Sequence, residues 1–207
     1  VGRDPATFLL LANFPLWALS FFLVGANHGV DAIDHLEFVR SVVFDHDLDV
    51  RNDDAIFGGG AEQIDPGQIN MHGVGPAMLW TPMYVVADAL CGVIGQNCNG
   101  ASRPYLAACT LTSMMASAWG LVAAYRLALP FAPRAPALLA VFGVAWATFL
   151  SWYMTVEATM SHNLSFAGSA LAFVLIAQAP VRARGWFFAG LVVGYTASIR
   201  FADSLIG

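Results

Sequence analysis

Six apolar runs of 17 to 26 residues fill most of this 207-residue chain, and nothing else in it limits the fold as strongly. They are Thr7–Ala26, Gly73–Gly95, Pro104–Leu129, Pro136–Val156, Asn163–Ala179 and Trp186–Ile206. About 20 apolar residues in a helix cross a hydrocarbon core of about 30 Å. Lipid offers no partner to backbone N–H and C=O groups, so such runs must satisfy them internally as helices. Composition agrees, with 58% hydrophobic and 11% charged residues, against about 25% charged in a soluble domain. The expectation is an all-α, polytopic membrane protein. The first run reads as a signal peptide or as an uncleaved helix; no small-residue cleavage site is obvious, which favours the helix. The chain opens on Val1 and ends just past an apolar run, so a further C-terminal part is expected.

The few charges are sorted. Ten of the 14 acids lie between Asp31 and Asp65, and His28, His35, His46 and His72 sit in or beside that stretch. All nine basic residues are arginines. No overall basic footprint exists, which argues against nucleic acid as a partner. Short cytoplasmic loops carry excess Lys and Arg. Arg126 and Arg134 flank one connection, and Arg182 and Arg184 lie in another. With Arg3 inside, the acidic loop starts outside, and both arginine connections then face the cytoplasm only if Gly73–Gly95 does not cross. That run contains Pro76, Pro82 and Asp88 and reads as an external juxtamembrane or re-entrant helix. An ordinary transmembrane helix with two prolines is the competing reading. The expected spans are therefore about 7–26, 104–129, 136–156, 163–179 and 186–206, with an external acidic loop at 27–103. Cys91 and Cys98 then lie outside, either as a disulfide or as two free thiols. Cys109 falls inside a span and reads as core.

Within the loop, Ile33, Leu36, Val39 and Val43 recur at helical spacing, with Asp31, Asp34 and Glu37 along another face. This predicts an amphipathic helix over Asp31–Phe44, lying at the membrane surface. Like charges three residues apart repel weakly, so a metal, a cationic ligand, His35 or Arg40 should compensate. Next, "DHDLDVRND" puts Asp45, Asp47 and Asp49 at alternate positions, on one side of an extended segment. Such clusters bind Ca²⁺ or Mg²⁺ through oxygen, although the Gly and closing Glu of an EF-hand loop are missing. A solvated loop with capping aspartates is the competing reading. The one cofactor the sequence admits is a divalent metal ion, Mg²⁺ or Mn²⁺. A carboxylate against an apolar surface can act as a base, and Asp31 is the best placed, near the outer end of the first span.

Four segments resemble, in order, the pattern of GT-C fold glycosyltransferases: "GVDAIDHLEFVRSVVFDHDLDVRND", "MHGVGPAMLWTPMYVVADAL", "EATMSHNLSFAGSALAFV" and "GWFFAGLVVGYTASIRFAD". These multi-pass enzymes use polyprenyl-phosphate-linked sugars and include the aminoarabinose and protein mannosyl transferases. The resemblance spans nearly the whole chain and rests on motif order and spacing. It implies a GT-C-type helix bundle with external juxtamembrane helices. Its activity would move a sugar from a polyprenyl-phosphate carrier to an acceptor at the external or periplasmic face of a bacterial inner membrane. Partners would be the lipid-linked donor, membrane lipid and an acceptor the sequence does not identify. Asp31 would contact or deprotonate that acceptor, with Asp34 as the second catalytic acid. The family's Glu beside the first Asp is here Ala32, and His72 and Gly73 stand where some members place an acid before the Pro motif. His72, Glu157, His162 and Arg200 would bind substrate.

Two positions keep local alternatives. His162 also reads as a helix-end residue, with Ser161 as an N-cap. Arg200 suits a phosphate bidentately, or it snorkels to headgroups or pairs with Asp203. Two other functions compete with transfer: a transporter or channel whose acidic vestibule gathers cations, and a noncatalytic scaffold subunit of the membrane.

Overall fold

Proline and small residues decide where the apolar runs break and how closely they pack. The computed structural model describes residues 5–25, 29–57, 70, 72–178, 183–201 and 203. Every regular element among them is helical, so the all-α expectation holds. The first run is two helices, α1 (Pro5–Leu11) and α2 (Asn13–Val24). The ring of Pro15 has no N–H and would clash with the carbonyl of Leu11, which accounts for the break at Ala12. Asn13 fills the gap: its amide donates to Leu10 O at 2.9 Å, and its carbonyl accepts from Trp146 Nε1 at 3.0 Å.

The acidic segment forms α3 (Val30–Arg40), a π turn over Ser41–Asp45 ending on left-handed His46, a 3₁₀ turn (Val50–Asn52) and α4 (Asp54–Phe57). Then follow α5 (Gly75–Cys91), α6 (Arg103–Ala128), α7 (Arg134–Trp146), α8 (Leu150–Thr155), α9 (Ser161–Gln178) and α10 (Ala183–Ile199). The expected span at 136–156 is thus α7 and α8. Thr148 bridges them, donating to Val144 O at 2.7 Å and accepting from Leu150 N at 3.1 Å. The Gly- and Pro-bearing stretch expected as a loop lies, over 58–69, outside the described residues, as do Arg3 and Arg182 of the orientation argument.

Helix α6 is the hub, touching α1, α2, α5, α7, α8 and α9. Its buried positions are largely small: Ala108, Ser113, Ser117, Ala118 and Gly120. A Cβ on Gly120 would meet Ala167 Cα at 2.8 Å, and one on Gly168 would collide with the Thr196 side chain. Small residues therefore set the α6–α9 and α9–α10 spacings. Ala123 clusters with Ala170 and Val174, so α6 and α9 run parallel and α10 returns beside them. Large apolar side chains meanwhile face outward, among them Phe8, Leu23, Leu139, Phe149 and Phe187. Among the described residues, two helical stretches, Pro5–Leu23 and Arg103–Ala128, are long and apolar enough to cross a membrane; Arg134–Trp146 is a shorter apolar helix.

The apolar face of α3 is not turned to lipid. Leu36 and Val39 are buried with Ala77, Trp80 and Tyr84 of α5, a correction to the surface-helix expectation. Helix α5 starts at the end of α10 and finishes at the start of α6. Its Trp80 donates to Ser113 Oγ at 2.8 Å, and its Asp88 accepts from Tyr105 at 2.6 Å. The thiols are resolved: Cys91 and Cys98 form a disulfide, with Cα atoms 5.7 Å apart. Cys109 is buried. The loop behind the disulfide offers Asn99 O to Arg40 Nε at 3.1 Å. Gly100 there is left-handed (φ +83°), and a Cβ on it would press within 3 Å of Arg40 and Tyr84.

Two predictions follow from this packing. A Cβ on Gly73 or Gly75 would fall within 3 Å of the Ser198–Ile199 backbone. Gly73→Ala and Gly75→Ala should each cost about 1–3 kcal/mol, read as lower melting temperatures in detergent micelles. Gly143→Ala, in a helix with open space around it, should be neutral or stabilising by up to about 1 kcal/mol. Second, Arg40 pairs with Asp53, which is fully buried and whose carboxyl burial pushes above its ordinary value. Arg40→Met should cost about 3–5 kcal/mol by leaving that acid unpaired, and adding Asp53→Asn should recover most of the loss.

Candidate functional site

The site lies where four chain segments meet: the first turns of α3, the approach to α5, the start of α9 and the end of α10. Asp31 and His35 are four residues apart on α3 and so share one face. Asp31 is in the first turn of its helix, where the positive end of the dipole favours a carboxylate. Its side chain is 57% exposed; that of His35 is buried, the residue being only 1% exposed.

Asn70 ties the next segment to α3, donating to Asp34 O at 3.0 Å and accepting from His72 N at 2.9 Å. His72 is thereby held between two acids. Its Nδ1 lies 2.8 Å from Asp34 Oδ2, and its Nε2 lies 3.9 Å from Asp31 Oδ2. His35 Nδ1 donates to Gly73 O at 3.0 Å, and Tyr195 donates to Gly75 O at 3.0 Å. The "GVGP" turn is thus pinned from α3 on one side and α10 on the other.

Arg200 follows the last turn of α10. One guanidinium N–H donates to His162 Nδ1 at 3.0 Å. His162 also stacks on Tyr153, with ring centroids 4.3 Å apart. Burial, and then the cation of Arg200, lowers the His162 pKa. A neutral ring accepting at Nδ1 presents Nε2–H as a donor. No ion pair joins Arg200 to Asp203 among the described residues, so the Asp203 alternative is not realised.

Asp31, His35, His72, His162 and Arg200 line one cleft of about 260 Å³, closed on its apolar side by Ile199 and Phe201. Five of the six expected residues therefore belong together, Asp34 through its contact with His72. Glu157 stands at the rim near the start of α3, its Oε1 3.6 Å from where a Gly29 Cβ would be. A second, apolar groove of about 360 Å³ runs between α5, α6, α9 and α10, and Ile199 lines it too.

Asp45, Asp47 and Asp49 are elsewhere and are engaged locally. Asp45 accepts from Arg40 at 2.9 Å and from Asn52 at 3.1 Å. Asp47 accepts from Ser41 Oγ and from the backbone N–H of Asp49. Asp49 pairs with Arg51, which holds its carboxyl down at about 2. Among the described residues no group of three or more His, Cys, Asp or Glu side chains is arranged to hold a metal. The metal-ligand expectation for this trio gives way to the capping one, because these carboxylates already have partners.

His35 and Tyr153 were not singled out as site residues by sequence. The signal for His35 was its i+4 spacing from Asp31. No protein-family model, curated protein or solved structure matches this chain.

Burial, and next the neighbouring His72, lowers the His35 pKa from 6.5 to about 4. The folded state thus favours the neutral ring. Its contribution to stability is complete above pH 6.5 and is lost as pH falls toward 4, where the unfolded chain binds the proton more readily. Melting temperatures measured from pH 7.5 to 4 should drop by the equivalent of roughly 3 kcal/mol. His35→Gln should flatten most of that slope, leaving a smaller part of the same sign from His162.

Proposed function

We propose that this chain is the helical module of a multi-pass membrane glycosyltransferase, with the α3–α5 layer at the external face. It would take a sugar from a polyprenyl-phosphate carrier. The observation that carries this reading is the shared wall at Ile199. An apolar groove among membrane-type helices ends where a polar cleft begins, with Arg200 at the junction. That continuity fits a substrate with a long apolar tail and an anionic head.

Several features support the membrane arrangement. Large apolar side chains point outward, and extended exposed apolar surface marks an interface with lipid or protein. Helix α5 lies against only the outer half of α6, as a juxtamembrane helix would. A GT-C-like fold and a bacterial inner-membrane location belong to the same proposal.

The tail would lie in the groove and the phosphate at Arg200, whose planar guanidinium suits phosphate oxygens. Asp31, exposed and across the cleft, would take the proton from the acceptor hydroxyl or amine. The acceptor atom bonds to the anomeric carbon with inversion as the bond from that carbon to the phosphate oxygen breaks. Polyprenyl phosphate leaves with the electron pair, its charge met by Arg200 and by the Nε2–H of His162. His72, between Asp31 and Asp34, would hold the Asp31 carboxylate in place. No step is routed through a metal: among the described residues no group of three or more His, Cys, Asp or Glu side chains is arranged to hold one.

Transfer assays in membranes with a panel of polyprenyl-phosphate sugars test this. Asp31→Asn should lower kcat about 10²–10⁴-fold. Arg200→Ala should impair donor use, with Arg200→Lys recovering only part. Full activity in Asp31→Asn would remove Asp31 as the base. Cation flux in reconstituted vesicles without sugar transfer would replace the reading with the vestibule alternative.

A further inference from the structure

His35 carries a polar atom that the protein leaves without use. Its Nδ1–H is committed to Gly73 O. A neutral imidazole with Nδ1 protonated has a bare lone pair on Nε2. That atom is buried and has no hydrogen-bond partner among the described residues. Buried polar atoms are nearly always satisfied, and an exception calls for a reason. The ring edges the cleft and faces His72, whose centroid is 5.2 Å away at a steep angle. Trp80, at 6.4 Å, closes its other side. Asp31 and His162 are the other ionisable groups close enough to act on it.

We propose that His35 Nε2 is the hydrogen-bond acceptor by which the cleft reads one hydroxyl of the sugar on the lipid-linked donor. The inference rests on the donor-site reading above and adds the residue that sets sugar specificity. With the phosphate at Arg200 and the acceptor at Asp31, the sugar lies between them, next to His35. The cleft supplies donors on the phosphate side, from Arg200 and His162. It supplies acceptors on the opposite side, from Asp31 and His35. Of these acceptors, His35 is the buried one. A hydroxyl that meets it gains a bond in a dry site, while a sugar lacking that hydroxyl leaves the lone pair unpaired. Sites built this way discriminate strongly against the deoxy analogue.

The test measures binding separately from turnover. Farnesyl-phosphate-linked hexoses and pentoses, and their monodeoxy analogues, are titrated against the protein in lipid nanodiscs. For one hydroxyl position, the wild type should bind the parent sugar about 10- to 100-fold more tightly than the deoxy form. His35→Asn retains an N–H toward Gly73 but lacks the ring acceptor. It should reduce that ratio to less than about threefold, with the parent sugar falling to the deoxy level. His35→Gln places an amide oxygen near the Nε2 position and should restore part of the ratio. In parallel, ¹⁵N NMR of the ligand-free protein should show His35 Nε2 unprotonated, with its resonance moving when the parent sugar binds. A protonated Nε2 would overturn the inference, as would an unchanged ratio in His35→Asn or no discrimination at any hydroxyl in the wild type. Discriminating binding without transfer to any acceptor would leave the inference standing and sink the transferase reading. Failure of every sugar to bind would sink both.

Discussion

The backbone contact between the "GVGP" turn and the end of α10 holds the rest in register. Gly73 and Gly75 approach Ser198 and Ile199 so closely that no side chain fits between them. Interiors are packed too densely to absorb an extra methyl group freely, so this contact fixes the α10 terminus against the acidic layer to within a fraction of an ångström. Arg200 is the next residue after Ile199, and His72 immediately precedes Gly73. One close approach therefore sets the distance between the cation and the acid–histidine group. The hydrogen bonds from His35 and Tyr195 to the same turn keep it from sliding along α10.

The carboxylates of the acidic segment divide by what α3 does at its two ends. At its C-terminal end Arg40 gathers Asp45 and Asp53, donates to Asn99 O and lies over the Phe44 ring. A buried ion pair of this kind gives little net stability, because desolvation offsets most of the attraction. Its effect is positional: it clamps the π turn and the disulfide-closed loop onto α5. At the N-terminal end Asp31 borders the cleft, its carboxylate 3.9 Å from His72 Nε2. Asp45, Asp47, Asp49 and Asp53 thus build the scaffold, while Asp31 faces the cleft.

The sequence shows the helices through their apolar period and the site through its sparse polar residues, since an ionisable group in an apolar chain is costly unless used. Asp31 and Arg200 stood out in that way, whereas His72 and His162 entered only through the family resemblance; all four line one cleft. The break in α7–α8 was not, because "AWATFLSW" has no proline or glycine and the Thr148 hydroxyl bridge has no distinctive spacing. The alternation of Asp45, Asp47 and Asp49 suggested an extended strand-like face. The chain instead makes a π turn and a left-handed His46 there, which disperses the three acids. His35 was missed as a site residue because a histidine one turn from an acid looks like a simple charge partner. Only its burial and its bond to Gly73 reveal the idle nitrogen.

Asp31 and His35 show how one helix turn yields two different chemistries. Both lie on the same face of α3, one turn apart, and both border the same cleft. Asp31 is at the helix start, with its side chain exposed to water. His35 is a turn deeper, against Trp80 and His72, where desolvation disfavours the charged ring. A protonated His35 would gain nothing at Gly73 O beyond the bond it already makes, and burial and then the neighbouring His72 disfavour its charge. Neutrality lets the ring sit dry beside two other histidines and keep an open acceptor. The depth of α5 against α3, set by Leu36, Val39 and Ala77, is therefore what separates a proton-accepting carboxylate from a neutral recognition group.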